Sequence, residues 1–127
     1  MYRQVHSGLW GESWFEAYST QAKTLFLYLL TSPETNSAGY SCQTLSRLSF
    51  NTAIPVAELP SVIAILGDRV RTWPVHNAYW VVRFVRWQGK GCDWERAVNK
   101  VLADMPAWAL DAFFAEYPDW PLQGVSH

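Results

Sequence analysis

Cysteine is scarce in this chain, with only Cys42 and Cys92, and neither sits beside a second cysteine or a histidine. That spacing excludes a disulfide framework and a structural zinc site, and both thiols are expected to be reduced. Histidine is nearly as rare, and His6, His76 and His127 are too far apart in sequence to form a local metal or catalytic cluster. No run reaches the roughly 18 uninterrupted apolar residues of a membrane span. The start, MYRQVHSGLW, lacks the basic, apolar and small-residue regions of a secretory signal, so the expectation is a cytoplasmic protein without a membrane. Glycine-rich phosphate loops, a nucleophile with a neighbouring base, and carboxylates at metal-ligand spacing are all missing. A non-enzymatic chain with no cofactor and no metal is expected.

Apolar residues and aromatics are abundant. Half of the 127 residues are hydrophobic and only 17% are charged, which is ample for a buried core and excludes a disordered chain. One domain over residues 1–127 is expected, with a core over 1–90 and an appended helix pair over 91–127.

The net charge of -1 conceals an uneven distribution. Residues 1–60 carry Arg3, Lys23 and Arg47 against Glu12, Glu16, Glu34 and Glu58. Residues 61–100 carry Arg69, Arg71, Arg83, Arg86, Lys90, Arg96 and Lys100 against Asp68, Asp93 and Glu95. After residue 100 there are only acids, namely Asp104, Asp111, Glu116 and Asp119. A basic middle and an acidic end point to a polyanion contact at one place only.

Along the chain, an aromatic segment with Tyr2, Trp10, Trp14 and Phe15 reads as extended to about Tyr18. Ser19 is a fitting N-cap for a helix in which Ala22, Leu25, Phe26, Leu29 and Leu30 form one apolar stripe, stopped by Pro33. Tyr40-Ser41-Cys42 reads as a short strand, followed by a helix over about Gln43–Ser49 with Phe50 closing it. A third helix is expected between Pro55 and Leu66, with Val56, Leu59, Ile63 and Leu66 inward; Pro60 requires either a kink or a regular start near that residue.

Asp68 to Gln88, DRVRTWPVHNAYWVVRFVRWQ, reads as a β-hairpin, because runs of Val, Trp and Tyr flank the breaker Pro74-Val75-His76-Asn77. It is followed by two amphipathic stripes, Trp94, Ala97, Val98, Val101, Leu102 and then Leu110, Phe113, Phe114, Tyr117. The fold class is therefore α+β and mostly helical: a winged helix-turn-helix with a basic β-hairpin wing and two C-terminal helices. Leu25, Phe26, Leu29, Val82 and Phe84 are the expected core.

Several stretches resemble one family in the same order. YRQVHSGLW, STQAKTLFLYLLTSPETN with the following Gly39-Tyr40, RFVRWQGKG and DAFFAEYP are similar to the N-terminal winged-helix domain of phage replisome-organiser and DnaD-type primosomal proteins. The resemblance implies DNA binding near a replication origin and a separate C-terminal region that recruits replication proteins. Since the chain stops at His127, that region is expected to be absent or to lie on another polypeptide. The groove-reading helix of such a fold, here Pro55–Leu66, has no Lys or Arg and only Glu58 and Ser61 as polar side chains, so direct base readout is not expected from it.

The candidate DNA-binding residues are Arg47, Arg69, Arg71, His76, Asn77, Arg83, Arg86 and Lys90, all directed at backbone phosphates of double-stranded DNA. Arg83 and Arg86 can share a face only if the strand ends or bulges between them. Among the tryptophans, Trp73, Trp80 and Trp87 stand beside the arginines, a place suited to stacking on unpaired bases, although core packing is the commoner use of so large a ring. Trp108 and Trp120, near the acidic end, are candidate partner-binding residues. The expected role is a phage or prophage DNA-binding protein acting in replication initiation or gene control in the host bacterial cytoplasm. The alternative is a small phage protein that uses the same fold to bind and inhibit a host replication or defence factor. Self-association as a homodimer is compatible with either.

Overall fold

A computed structural model describes residues 3–89 and 91–121. The N-terminal segment is not extended throughout. It forms a 3₁₀ turn over Ser7–Gly11 and a single turn of helix, α1 (Ser13–Glu16), which bury Leu9 and Phe15. One-turn elements leave too few residues for a helical stripe to show in the sequence, and the clustered aromatics alone drive the burial.

Ser19 caps α2 (Thr20–Thr31), its hydroxyl oxygen accepting from the Ala22 amide at 3.2 Å. Ala22, Leu25, Phe26, Leu29 and Leu30 are all buried on one stripe, and the helix ends two residues before Pro33. Asn36 then organises the turn into β1 (Tyr40–Cys42), accepting from the amides of Ala38 and Tyr40 through its side-chain oxygen. Gly39 takes a φ of +94°, and a Cβ there would lie 2.5 Å from that of Phe84.

The second long helix, α3 (Leu45–Thr52), starts and ends later than the sequence implies. Thr44 is its cap, accepting from the Arg47 amide, and Ala53 closes it in the left-handed region. Phe50 lies within the helix and is 85% exposed, so it does not close it. Pro60 resolves as expected: a 3₁₀ turn over Val56–Glu58 leads into α4 (Leu59–Leu66), placing the proline in the first turn, where its missing N–H costs no helical bond. Leu59, Val62 and Leu66 are buried, whereas Val56 is exposed and Ile63 only half-buried.

β2 (Val70–Trp73) and β3 (Ala78–Val81) form the hairpin, and β1 joins the free edge of β3, giving an antiparallel sheet of order β1-β3-β2. The register pairs Tyr40 with Trp80 and Arg71 with Trp80. The hairpin is shorter than the sequence implies, because the chain leaves the sheet after Val81 and Phe84–Gln88 is a helix, α5. Phe84, Val85 and Gln88 are all buried. Phe84 joins the core with α2, α3 and α4, Val85 joins the one with the two C-terminal helices, and the Gln88 side chain bonds to the Gln4 backbone. Arg83 and Arg86 consequently lie outside the hairpin strands.

The sheet is covered on both faces. Val70, Tyr79 and Val81 pack into a core with α2, α3 and α4. Tyr40 and Trp80, with Trp73 at the edge, face α6 (Cys92–Leu102) and α7 (Ala107–Glu116), whose Val98, Leu102, Ala109 and Phe113 are buried against them. Two buried phenols fix α7 to the sheet: the Tyr40 hydroxyl donates to the Ala109 carbonyl at 2.6 Å, and that of Tyr117 donates to the Val82 carbonyl. The five residues expected in the core, Leu25, Phe26, Leu29, Val82 and Phe84, are all buried.

Candidate functional site

The basic side chains divide between the two ends of the hairpin. Arg71, the second residue of β2, reaches toward the tip, its guanidinium 5.0 Å over the ring of Trp73, the last residue of the strand and on the same face. The tip itself is a 3₁₀ turn over Pro74–His76, closed by Asn77 in the left-handed region, φ 51°. The carbonyl of Asn77 accepts from the Gln43 amide at 2.8 Å, which docks the tip on the start of α3, where Arg47 is exposed in the first turn. His76 stacks on Trp108 with ring centroids 4.5 Å apart and planes within 9°, and Trp73 meets the same indole at 4.9 Å. The tip is therefore held from two sides, while Val75 at its apex is 92% exposed.

At the base of the hairpin, Arg69 and Arg83 are neighbours, joined through the bond from the Val82 amide to the Arg69 carbonyl at 3.1 Å. The Arg69 guanidinium lies 4.4 Å over the Trp14 ring, and Trp14 is parallel to Trp87 within 5° at 6.2 Å. Trp14, Arg69 and Arg83 line two clefts at once, one of about 300 Å³ that continues past Trp87 and His6, and one of about 480 Å³ that continues past Tyr18 and Ile65. The wall of the first cleft is the N-terminal segment, clamped to α5 by reciprocal bonds between the Gln4 backbone and the Gln88 side chain, each 2.7 Å, and by His6 Nε2 donating to the Trp87 carbonyl. Four strand residues at about 3.3 Å each place base and tip about 13 Å apart.

The remaining expected site residues lie elsewhere. Arg86, on α5, packs 5.2 Å over the Tyr117 ring and lines a cleft with Glu95, Glu116 and Asp119, so it faces the acidic end of the chain. Lys90 lies outside the described residues. Trp108 and Trp120 are half-buried and their rings are used within the chain, Trp108 against the hairpin and Trp120 against Phe113 and Tyr117, with its Nε1 donating to Asn99 Oδ1 at 2.7 Å.

Electrostatics sharpen this division. Among the described residues the one ion pair is the exposed Arg96–Asp93 contact at 3.2 Å, so Arg47, Arg69, Arg71, Arg83 and Arg86 have no carboxylate within 4.0 Å. Burial pushes the phenols of Tyr18, Tyr40, Tyr79 and Tyr117 above their ordinary range; Arg69 beside Tyr18, Arg71 beside Tyr40 and Arg86 beside Tyr117 partly oppose the shift.

The outer face of α4 is chemically quiet. Pro60, Ser61, Ala64 and Ile65 are exposed there, the Glu58 carboxylate accepts from Gln21, and the Ser61 hydroxyl donates to the Glu58 carbonyl. Such a face offers little to base edges, which are read by Arg, Lys, Asn or Gln. Sequence reasoning passed over Trp14 and the Gln4–Gln88 clamp, since no local spacing signals partners more than 70 residues apart. No family model, curated protein or solved structure matches this chain.

Proposed function

We propose that this protein is a non-enzymatic winged-helix module that docks on the phosphate backbone of duplex DNA through the tip end of its hairpin. The element order α2-β1-α3-α4-β2-β3 with strand order β1-β3-β2 supports the fold assignment, since it makes α3 and α4 the helix-turn-helix pair and the hairpin the wing. A role in replication initiation or gene control of a phage or prophage rests on the likeness of the LFLYLLTSPETN and RFVRWQGKG stretches to replisome-organiser proteins.

The observation that carries the DNA reading is that Arg47 and Arg71, both exposed, have no carboxylate partner and flank a tip fixed to α3. An unpaired guanidinium retains its full fork of donors for phosphate. His76 and Asn77 complete the contact. With α4 carrying no base-reading side chain, binding is backbone-driven and indifferent to sequence.

Two phosphate contacts give a slope of log affinity against log salt of about -1.8 on duplex DNA. Anisotropy titrations of a random duplex should show that slope, and Arg47→Ala and Arg71→Ala should each flatten it by about 0.9 without changing sequence preference. No binding at low salt would remove the DNA reading. Binding to a host protein is then the alternative, favoured by one observation: α3, α4 and the turn between them expose Phe50 at 85%, Ile65 at 47% and Val56 at 45%.

A further inference from the structure

We infer that the two clefts meeting at Arg69 and Arg83 form a binding track for unpaired, single-stranded DNA, separate from the duplex contact at the tip. The site combines the two features that unpaired nucleotides need, namely cations for the phosphates and aromatic faces beside them. Arg69 and Arg83 supply the first, adjacent in space and without a carboxylate within 4.0 Å among the described residues. Trp14 and Trp87 supply the second, parallel to within 5°. The Arg69 guanidinium lies 4.4 Å over the Trp14 ring, a cation–π contact that restrains it beside both clefts.

The shape points to a chain ligand. Each cleft, at about 300 and about 480 Å³, has room for a group of nucleotide size, and because both share Trp14, Arg69 and Arg83 they run into each other across the arginine pair. A duplex cannot use such concavities, since its base faces are already stacked on one another. An acidic peptide would engage the guanidiniums but make no use of the aromatic lining, and its carboxylates would be repelled by Glu12 in one cleft and by Asp68 and Glu116 in the other. The Gln4–Gln88 clamp holds the first cleft's wall in place before any ligand arrives.

The test uses the full chain and a labelled oligothymidylate of about ten nucleotides, a length within the usual range of single-strand sites. Anisotropy at low salt should show binding with a salt slope of about -1.4, the value for two phosphates on a single strand. Arg83→Ala, an exposed position, should weaken it about tenfold, the loss expected of one charge-assisted contact, while Arg83→Lys should recover part of it. Trp87→Leu should weaken it and Trp87→Phe should not, with thermal melts of both variants confirming the fold. Arg71→Ala should leave it unchanged, which separates this site from the duplex reading.

No binding of the oligonucleotide at low salt, or an unchanged affinity in Arg83→Ala, would overturn the inference. Competition by free thymidine monophosphate at the same nucleotide concentration would make the cleft a mononucleotide pocket and overturn the strand assignment. Equal competition by polyglutamate at matched charge would make it an acidic-peptide site and do the same.

Discussion

Replacing Phe113 with Ala should destabilise the whole molecule, including the face of the sheet that Phe113 never touches. Phe113 is fully buried on α7, with ring centroids 6.0 Å from Trp80, 5.4 Å from Phe114, 5.0 Å from Tyr117 and 5.5 Å from Trp120. Truncating a buried Phe costs about 3–5 kcal/mol, and the loss of several aromatic pairs places this site toward the upper end. For 127 residues an unfolding entropy of about 2.1 cal/mol/K per residue converts about 4 kcal/mol into a fall in Tm of roughly 15 °C.

Phe26→Ala is the matched perturbation on the opposite face, where the ring is also fully buried and lies 5.4 Å from Trp14 and 5.9 Å from Trp87. Alternation along β3 sends Tyr79 and Val81 to one core and Trp80 to the other, so opening the strand exposes both. Both variants should therefore lower one shared transition by similar amounts. Chemical denaturation followed by circular dichroism and by tryptophan fluorescence should give coincident curves. If Phe113→Ala instead splits off an early transition while a later one stays at the parent midpoint, α6 and α7 are an independent unit and the coupling through β3 is refuted.

Gly39→Ala should cost at least about 2 kcal/mol, because φ is +94° and the new Cβ would meet Phe84 Cβ at 2.5 Å and the Val81 carbonyl oxygen at 3.0 Å; an unchanged Tm would contradict this. Stability should fall on the alkaline side: an unfolded Tyr ionises near pH 10, whereas burial keeps Tyr40 and Tyr117 protonated in the folded chain. Their contribution is whole below that pH and is lost as pH rises toward the raised folded values, by up to about 1.4 kcal/mol per unit for each group. Tyr40→Phe and Tyr117→Phe should each make the denaturation midpoint less sensitive to pH above about 10, and an unchanged slope would show that the phenols are not held neutral.

Much of the fold was legible where local chemistry and burial agree. Ser19, the stripe from Ala22 to Leu30 and Pro33 marked α2 almost to the residue, and Pro60 marked the start of α4. The failures came where tertiary packing overrides composition. Val82 to Gln88 has the β-branched and aromatic residues of a strand, yet Phe84–Gln88 folds as a helix that sends Phe84 to one core and Val85 to the other. Phe50 looked like a helix-closing apolar residue and lies almost fully exposed on α3. The candidate site suffered most, because grouping four arginines on one hairpin required the strand to run on to Gln88. Ending it at Val81 moves Arg83 to the base beside Arg69 and turns Arg86 toward Glu95, Glu116 and Asp119.

Under the proposed duplex contact, the covered sheet restricts how the tip meets DNA. In a hairpin with one free face, the tip can flex into a groove and lose conformational freedom on binding. Here Trp108 packs against both Trp73 and His76, and the Gln43 amide holds the Asn77 carbonyl, so Arg47 and Arg71 are carried on elements already fixed relative to each other. Ordering each mobile side chain costs about 0.5–1.5 kcal/mol on binding, and the cation–π contact of Arg71 with Trp73 removes part of that cost in advance. Under the proposed duplex contact, the same fixation limits how far the tip can adapt, so phosphates would have to lie at the spacing the protein sets. Trp108→Ala should then leave the salt slope near its parent value, since no phosphate contact is removed, while lowering affinity by freeing the tip. A flattened slope in that variant would mean that a phosphate contact is lost with the ring, and that the stack positions a charged side chain as well as stiffening the tip.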